Sequence, residues 1–363
     1  MAGHADTSMR LPGHRSERGA IVIQVALASF VLLAFTMFVV DYGILWVSRS
    51  AAQNAADGGA LAGATALALD DFENREDDGP AKLAALNFAL ANDIFGEDPD
   101  VDVETDIYFY PDDPAKFPAE CDDDSCIRVD VYRNQDRGNP LPMWFGLFVG
   151  LTEQGVRATA TARAAPASWS NCLKPWLIPD KWIENVAPAA EFNFGENEGD
   201  PSDVYVNPGW SELDIGTTLT LKEGNPSTND PIAPGDFFRI EPADTYRDAI
   251  EGCIIQQGIG DNVIIRPGNG VGPTRLGVEA LLAANNGEPV TVVVGMFDPA
   301  AFAALDRQSG TFEIEIVNMM GFRIEGYGPG NQVRGTIVAA PGELGGPEDD
   351  TAGNLLKAVQ LVR

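Results

Sequence analysis

Histidine is the side chain most often used as a base at neutral pH and as a zinc ligand. This chain has two, His4 and His14, and both precede a long apolar segment, so residues 41–363 contain none. Serine and cysteine nucleophiles that depend on a histidine are therefore excluded from the main body of the chain. A P-loop is also absent. The sequence predicts a protein that is not an enzyme and carries no cofactor.

Three other patterns could support chemistry, and each has a simpler interpretation. The glycines at 268, 270 and 272 lie between two prolines and lack the strand-to-helix context of a phosphate-binding loop. Asp122 and Asp123 could form an acid–base pair, but they lie in a crowded acidic loop where solvated charge is the simpler interpretation. The oxygen-rich stretch 191–203 lacks EF-hand spacing. We therefore expect no metal site, with calcium at 191–203 as the alternative.

The chain has four cysteines, Cys121, Cys126, Cys172 and Cys253, and all follow the apolar segment. An even number in an oxidising compartment suggests two disulfides, for which three pairings exist. Only four residues separate Cys121 from Cys126, so a local bridge between them is favoured, which leaves Cys172 for Cys253. Zinc is the alternative for the closely spaced pair, but no histidine lies near it.

The apolar segment itself covers residues 20–40 and contains no charge over 21 positions. As a helix it would span about 31 Å, close to the thickness of a bilayer's hydrocarbon core. Arg15 and Arg18 precede it closely, whereas only Arg49 occurs in the twenty residues that follow. The positive-inside rule then predicts a cytoplasmic tail at 1–19, a transmembrane helix in a bacterial inner membrane, and a periplasmic or extracellular body. A cleaved signal peptide and a buried core helix are the alternatives.

The N-terminal 40 residues and the body differ in net charge. The net charge is −30 for the whole chain but +1 for residues 1–40, which leaves −31 for the remaining 323 residues. Such a body would repel phosphates, which excludes nucleic acid as a partner and predicts that the body stands off from an anionic bilayer surface. A hydrophobic content of 45% indicates that this acidic body is folded.

The helical pattern continues past the membrane segment to about residue 69. Ala51, Ala55, Gly59 and Gly63 recur every four residues and would form one smooth face of that helix. Glycine inside a helix costs about 1 kcal/mol relative to alanine, so two in register require a reason. Small-residue faces allow another backbone to approach closely. Either a partner helix or the protein's own body could occupy this face.

The rest of the chain predicts an α+β fold in two parts. Residues 41–165 contain the end of the long helix and a second helix at 81–95. Three strands are predicted at 101–110, 127–134 and 156–164, and a short buried helix at 140–151. Residues 166–363 predict a mainly β domain with one helix at 276–284 and strands at 218–222, 236–240, 262–266, 289–297, 311–317 and 332–340. Its tryptophans could stack against a carbohydrate or lie in the core; they are Trp169, Trp176, Trp182 and Trp210.

The N-terminal region resembles TadG-like proteins of the Tad (Flp) pilus-assembly family. The resemblance is carried by Arg18-Gly19, the apolar run, Asp41-Tyr42-Gly43, Gln53-Asn54-Ala55-Ala56-Asp57 and Ala60-Leu61-Ala62-Gly63-Ala64. A looser similarity continues to about residue 340 through the segments 140–164, 172–182, 234–240, 246–253 and 266–277.

This resemblance implies a non-enzymatic component of pilus assembly with a pilin-like helix-plus-sheet unit at 41–165. Its partners would be the lipid bilayer and pilin-like or secretion-apparatus membrane proteins. Two features of related proteins are missing. The Asp-x-Ser-x-Ser run of a von Willebrand A-like metal site is absent, and Gln24 stands where processed pilins carry glutamate five residues after the cleavage glycine, here Gly19. A surface-displayed domain that binds carbohydrate or protein is the alternative function.

Overall fold

A computed structural model of the protein describes most of the chain. The described residues are 18–70, 74–121, 124–146, 150, 153–183, 204–205, 209–225, 234–241, 245–265, 270–305, 312–344 and 355–362. Contacts divide the chain into two compact units. Unit 1 consists of Met1–Ala56, Ala89–Val101 and Asp130–Thr159, and unit 2 of Asp57–Phe88, Asp102–Val129 and Ala160–Arg363. This division differs from the predicted boundary at residue 165, which lies inside a continuous strand.

The described residues form five α-helices: α1 Arg18–Leu69, α2 Pro80–Leu90, α3 Tyr246–Glu251, α4 Val271–Ala284 and α5 Pro299–Ala303. Helix α1 has 52 residues and contains no proline, which is why nothing interrupts its hydrogen-bond ladder. Helix α2 ends five residues before the predicted limit. Helix α4 begins five residues before its prediction, because Pro273 is tolerated in the first turn of a helix.

The strands are β1 Ile107–Phe109, β2 Cys126–Arg133, β3 Leu141–Pro142, β4 Glu153–Gln154, β5 Val156–Pro166, β6 Trp169–Pro179, β7 Trp182–Ile183, β8 Val204–Tyr205, β9 Thr218–Glu223, β10 Asp236–Arg239, β11 Ile255–Gly258, β12 Asn262–Ile265, β13 Val290–Phe297, β14 Phe312–Glu315, β15 Asn318–Gly328, β16 Gln332–Val338, β17 Ala340–Pro341 and β18 Leu356–Val362. Short 3-10 turns occupy Pro114–Lys116, Gln135–Arg137 and Glu212–Asp214. The α+β class with a long N-terminal helix and a mainly β C-terminal region is confirmed.

Two larger sheets organise these strands. The five-stranded sheet has the order β1-β2-β5-β18-β17, so the C-terminal strand β18 pairs antiparallel with β5. That pairing joins residues from both sides of the predicted domain boundary. The seven-stranded sheet has the order β10-β9-β16-β15-β13-β6-β11 and lies within unit 2.

Both faces of the seven-stranded sheet are buried. On β6, Leu173 and Leu177 belong to one apolar cluster and Trp176 and Ile178 to another, as expected when neighbouring side chains point to opposite faces. Helix α4 contributes to the second cluster, α5 and the β12–β14 pair contribute to the first, and α3 contributes to both. The seven-stranded sheet therefore packs against α4 on one face and against the β12–β14 pair with α5 on the other.

Several predictions of local structure were wrong. The predicted strand at 101–110 is limited to Ile107–Phe109, since residues 103–106 form a turn in which the Asp106 carboxylate accepts a bond from the Asp102 N–H. The segment 140–151 is not a buried helix at its start, because Leu141–Pro142 pairs as a strand with β4. Residues 147–149 and 151 of that segment lie outside the described residues.

Candidate functional site

The N-terminal part of α1 exposes large apolar side chains on all sides. Ile21, Phe30 and Phe38 are 56%, 72% and 64% exposed. Among the described residues, α1 alone is long and apolar enough to cross a membrane, and its most hydrophobic window, with a mean hydropathy of 2.4, is 0% buried. The alternative of a buried core helix is therefore wrong. Because α1 runs unbroken to Leu69, removal of residues 1–40 as a signal peptide would cut a continuous helix.

Asp41, the first residue after the apolar run, is tied to a distant part of unit 1. Its carboxylate accepts hydrogen bonds from the backbone N–H groups of Trp144 at 3.1 Å, Phe145 at 3.0 Å and Gly146 at 2.8 Å. Asp41 is only 8% exposed. Three backbone donors compensate a carboxylate that would otherwise be costly at the edge of an apolar surface. This cluster of Asp41 and residues 144–146 is the polar centre of the candidate site.

Aromatic side chains surround that centre. Phe38, Tyr42 and Trp46 recur every four residues along α1, with ring centroids 6.0 and 6.4 Å apart. Tyr42 and Trp46 are 54% and 67% exposed, and Trp144 is 65% exposed. Exposed tyrosine and tryptophan next to a long apolar helix are typical of the boundary between the hydrocarbon core and water. These side chains and Asp41 therefore lie at the end of the candidate membrane span of α1.

Two cavities of unit 1 flank the same stretch of α1. A cavity of about 220 Å³ is lined by Ala34, Phe38, Met143 and Phe145, among others. A larger one of about 770 Å³ lies further along and is lined by Trp46, Arg49, Gln53 and Arg157, among others. The Gln53 side chain donates a hydrogen bond to the Thr159 carbonyl at 3.2 Å, which links this part of α1 directly to β5.

The remaining residues of the predicted family motif have varied surroundings. A Cβ atom added to Gly19 or Gly43 would meet nothing within 4 Å among the described residues, so no contact there requires glycine. Asn54 is exposed and Asp57 is half-buried. Asp41, in contrast, has a defined role as the acceptor of three backbone N–H groups.

The small-residue face of α1 is covered. Ala55, Gly59 and Gly63 are buried, and Ala51 is half-buried. A Cβ on Gly63 would lie 2.7 Å from the Ile127 Cδ1 and 3.0 Å from the Ala85 Cβ, both within unit 2. Of the two occupants expected from the sequence, the protein's own body is the one that contacts Gly63.

The four cysteines form two disulfides, Cys121–Cys126 and Cys172–Cys253, the pairing favoured by their spacing. Among the described residues no group of three or more His, Cys, Asp or Glu side chains could hold a metal ion. The stretch 191–203 and the pair Asp122 and Asp123 lie outside the described residues.

The glycine pattern at 268–272 ends at a helix terminus that is already occupied. The Gly270 N–H donates to both carboxylate oxygens of Glu223 at 2.9 and 2.8 Å. Burial raises the pKa of Glu223, while the Gly270 N–H and the Arg239 guanidinium, 2.7 Å away, act in the opposite direction. A phosphate at this terminus would have to displace the half-buried Glu223 carboxylate.

Two of the four tryptophans considered as stacking platforms are buried. Trp176 and Trp210 are 0% and 2% exposed, and the Trp176 indole donates to the Tyr246 hydroxyl at 2.9 Å. Trp169 is half-buried, and the Trp182 side chain is outside the described residues. Stacking on a carbohydrate is therefore wrong for Trp176 and Trp210.

Comparison with known proteins relates the chain to one family. Residues 19–66 match the family model described as putative Flp pilus-assembly TadE/G-like. The match covers nearly all of α1 and includes Asp41, and it confirms the resemblance predicted from the motif. No curated protein and no solved structure matches the chain.

Proposed function

We propose that this protein is a non-enzymatic component of a Tad (Flp)-type pilus-assembly apparatus, anchored in the bacterial inner membrane by residues 20–40. The observation that carries the proposal is the coincidence of two features in α1. The pilus-assembly family match occupies residues 19–66, and the same helix exposes apolar side chains on every side until Asp41. A helix of this kind anchors the protein and remains available to other membrane helices.

The proposed orientation is supported by charge and cysteine chemistry. Arg15 and Arg18 favour a cytoplasmic N-terminus. The two disulfides of the body are typical of an oxidising compartment outside the cytoplasm. Both features favour a location of residues 41–363 on the periplasmic side or outside the cell.

Gln24 offers a specific contact inside the membrane. Its amide is exposed and forms no hydrogen bond within the described residues. Thr36, by contrast, donates its hydroxyl to the Leu32 carbonyl at 2.9 Å within the same helix. A polar group in hydrocarbon gains from a partner on a neighbouring helix. We therefore assign Gln24 to contacts with other membrane helices of the pilus apparatus.

The function is tested by removing the protein and restoring it. A strain that lacks the chain should lose pili, and wild-type protein should restore them. A variant in which residues 20–40 are replaced by an unrelated transmembrane helix should reach the membrane but restore few pili. Normal piliation without the protein would overturn the proposal.

The role of Gln24 needs a separate comparison. Gln24→Leu should stay in the membrane fraction but lose crosslinks to other pilus components, with fewer pili per cell. Thr36→Val is the matched control, because its hydroxyl is already satisfied within α1. Equal crosslinking and piliation in both variants would remove Gln24 from the partner contact while leaving the anchor in place.

A further inference from the structure

One segment of the acidic body contains no charged residue. Residues 138–152 contain no Asp, Glu, Lys or Arg, although the body as a whole carries −31. Within this segment Trp144 is 65% exposed, and Met143 and Phe145 are half-buried. A large exposed tryptophan in an uncharged stretch is unusual on a surface that is otherwise rich in carboxylates.

The structure places this segment at the end of the apolar run of α1. Asp41 directly follows the predicted span, and its carboxylate accepts the N–H groups of Trp144, Phe145 and Gly146. Phe145 and Met143 share a cavity with Ala34 and Phe38 of the span. Phe38 of the span therefore lies beside Met143 and Phe145, and all three belong to unit 1.

Backbone N–H groups of this segment are hydrogen-bonded within the protein, as a poorly hydrated environment requires. Unpaired N–H groups are costly where water is scarce. Asp41 satisfies the N–H groups of residues 144–146, and the preceding residues Leu141 and Pro142 pair with Gln154 and Glu153. Tryptophan prefers the region between headgroups and acyl chains. Tyr42 and Trp46, which lie close to Asp41 on α1, show the same exposed aromatic character.

We propose that residues 143–146 form a second contact with the bilayer, in which the Trp144 indole lies between the headgroups and acyl chains of the leaflet where α1 emerges. This inference rests on the membrane anchor of the proposed function. The occupant is phospholipid, because residues 143–146 carry no charge and Phe145 lines one cavity with the exposed Phe38 of the span. The acidic body stands off from the bilayer elsewhere, and this segment is the exception. Two contacts would fix how the helix is rotated about its own axis, which one helix alone does not.

Tryptophan quenching in full-length protein tests the contact. The protein is reconstituted in phosphatidylcholine vesicles with brominated acyl chains, and quenching is compared with that by aqueous iodide. The difference in emission between the wild-type protein and Trp144→Phe is the emission of Trp144. We expect bromine to quench this emission and iodide not to quench it. In Trp210→Phe, a matched control at a 2% exposed position, the lost emission should resist both quenchers.

Two outcomes would overturn the proposal. If iodide but not bromine quenches the Trp144 emission, the side chain lies in water; if neither does, protein covers it. Phe30→Trp reports on the anchor itself, because position 30 lies in the middle of the span. Bromine that quenches the tryptophan introduced at position 30 but spares Trp144 would refute the second contact alone, whereas bromine that spares both would refute the anchor as well.

A change at Asp41 tests what positions the segment. Asp41→Ala removes the acceptor of three N–H groups, so bromine quenching of the Trp144 emission should be lost while that of a tryptophan at position 30 is retained. Undiminished quenching of the Trp144 emission in Asp41→Ala would overturn the positioning role assigned to this carboxylate.

Discussion

The N-terminal and C-terminal parts of helix α1 share one backbone ladder but are built from different side chains. Around Phe30 and Leu33, large apolar residues are 72% and 58% exposed. Around Gly63 and Leu67, small and apolar residues are buried, and Gly63 lies against Ala85 and Ile127. Large side chains occur where no protein covers the helix, and small ones where protein packs tightly.

This difference reflects what excludes water from each part. Lipid chains are fluid and adapt to any apolar shape, so the exposed part requires only length and an absence of charge. A protein interior is close-packed and tolerates little change in volume. The comparison therefore predicts that the same kind of substitution has a large effect on stability in the buried part of α1 and a small one in the exposed part.

The largest effect is expected from overfilling the buried part. In Gly63→Leu even the first added carbon would lie 2.7 Å from the Ile127 side chain and 3.2 Å from the Ala81 carbonyl oxygen. Overpacking costs about 1–3 kcal/mol in typical cores and more where backbone blocks the new atoms. We expect Gly63→Leu not to reach the native fold, measured as lost near-UV circular dichroism and rapid proteolysis. Thr65→Leu, at an exposed position of the same helix, should fold normally. A native spectrum for Gly63→Leu would contradict tight packing at this face.

Truncation of the buried part should be the next largest effect. Leu67 is 0% exposed. Leu67→Ala should lower the free energy of unfolding by about 2–5 kcal/mol, because it removes buried methyl groups and leaves a cavity. Chemical denaturation of the protein in lipid nanodiscs measures the change. A loss below about 0.5 kcal/mol, the size of ordinary surface substitutions, would mean that this end of α1 is not packed as described.

The body also differs from the membrane segment because it buries a charged side chain. Residues 20–40 contain no charge, whereas unit 2 buries Lys174, which is 3% exposed and whose ammonium donates to the Gly252 carbonyl at 2.7 Å. Burial lowers the pKa of Lys174 from 10.5 to about 8. Between these values the unfolded chain binds more protons than the folded one, so stability rises with pH.

The free energy of unfolding should therefore rise between pH 8 and pH 10, by at most about 3 kcal/mol at 1.36 kcal/mol per pKa unit. Burial raises the pKa of Tyr246 above 10, which makes stability fall at higher pH, so the measurement stops at pH 10. In Lys174→Met the rise should disappear. An equal rise in Lys174→Met would show that another group titrates.

Much of the fold could be predicted from local patterns. Helix α1 was predictable because its sequence lacks proline and its first half lacks charge, and β2, β5 and β9 because polar and apolar residues alternate along them. Strand β6 was missed for a physical reason. From Leu173 to Pro179 every residue is buried, so a strand covered on both faces shows no alternation, and its two prolines argued against a strand.

The candidate site was only partly predictable. Asp41 was found through its family motif, but its partners lie 103 to 105 positions later in the chain, and no local pattern links them. The apolar residues around Trp144 predicted burial in a helix, because a hydrophobic run alone does not reveal what covers it. For the same reason, the face containing Gly59 and Gly63 left a partner helix and the protein's own body as equal alternatives.

The smallest effect is expected in the exposed part of α1. Leu33→Ala makes the same chemical change as Leu67→Ala, at a side chain that is 58% exposed. In a bilayer, lipid covers position 33 before and after the body unfolds, so the lost contacts cancel between the two states. The free energy of unfolding in nanodiscs should change by no more than about 0.5 kcal/mol. The helix keeps its length and neutrality, so the variant should still resist extraction from membranes by alkaline carbonate. A cost as large as that of Leu67→Ala would mean that protein, and not lipid, covers this side of the helix.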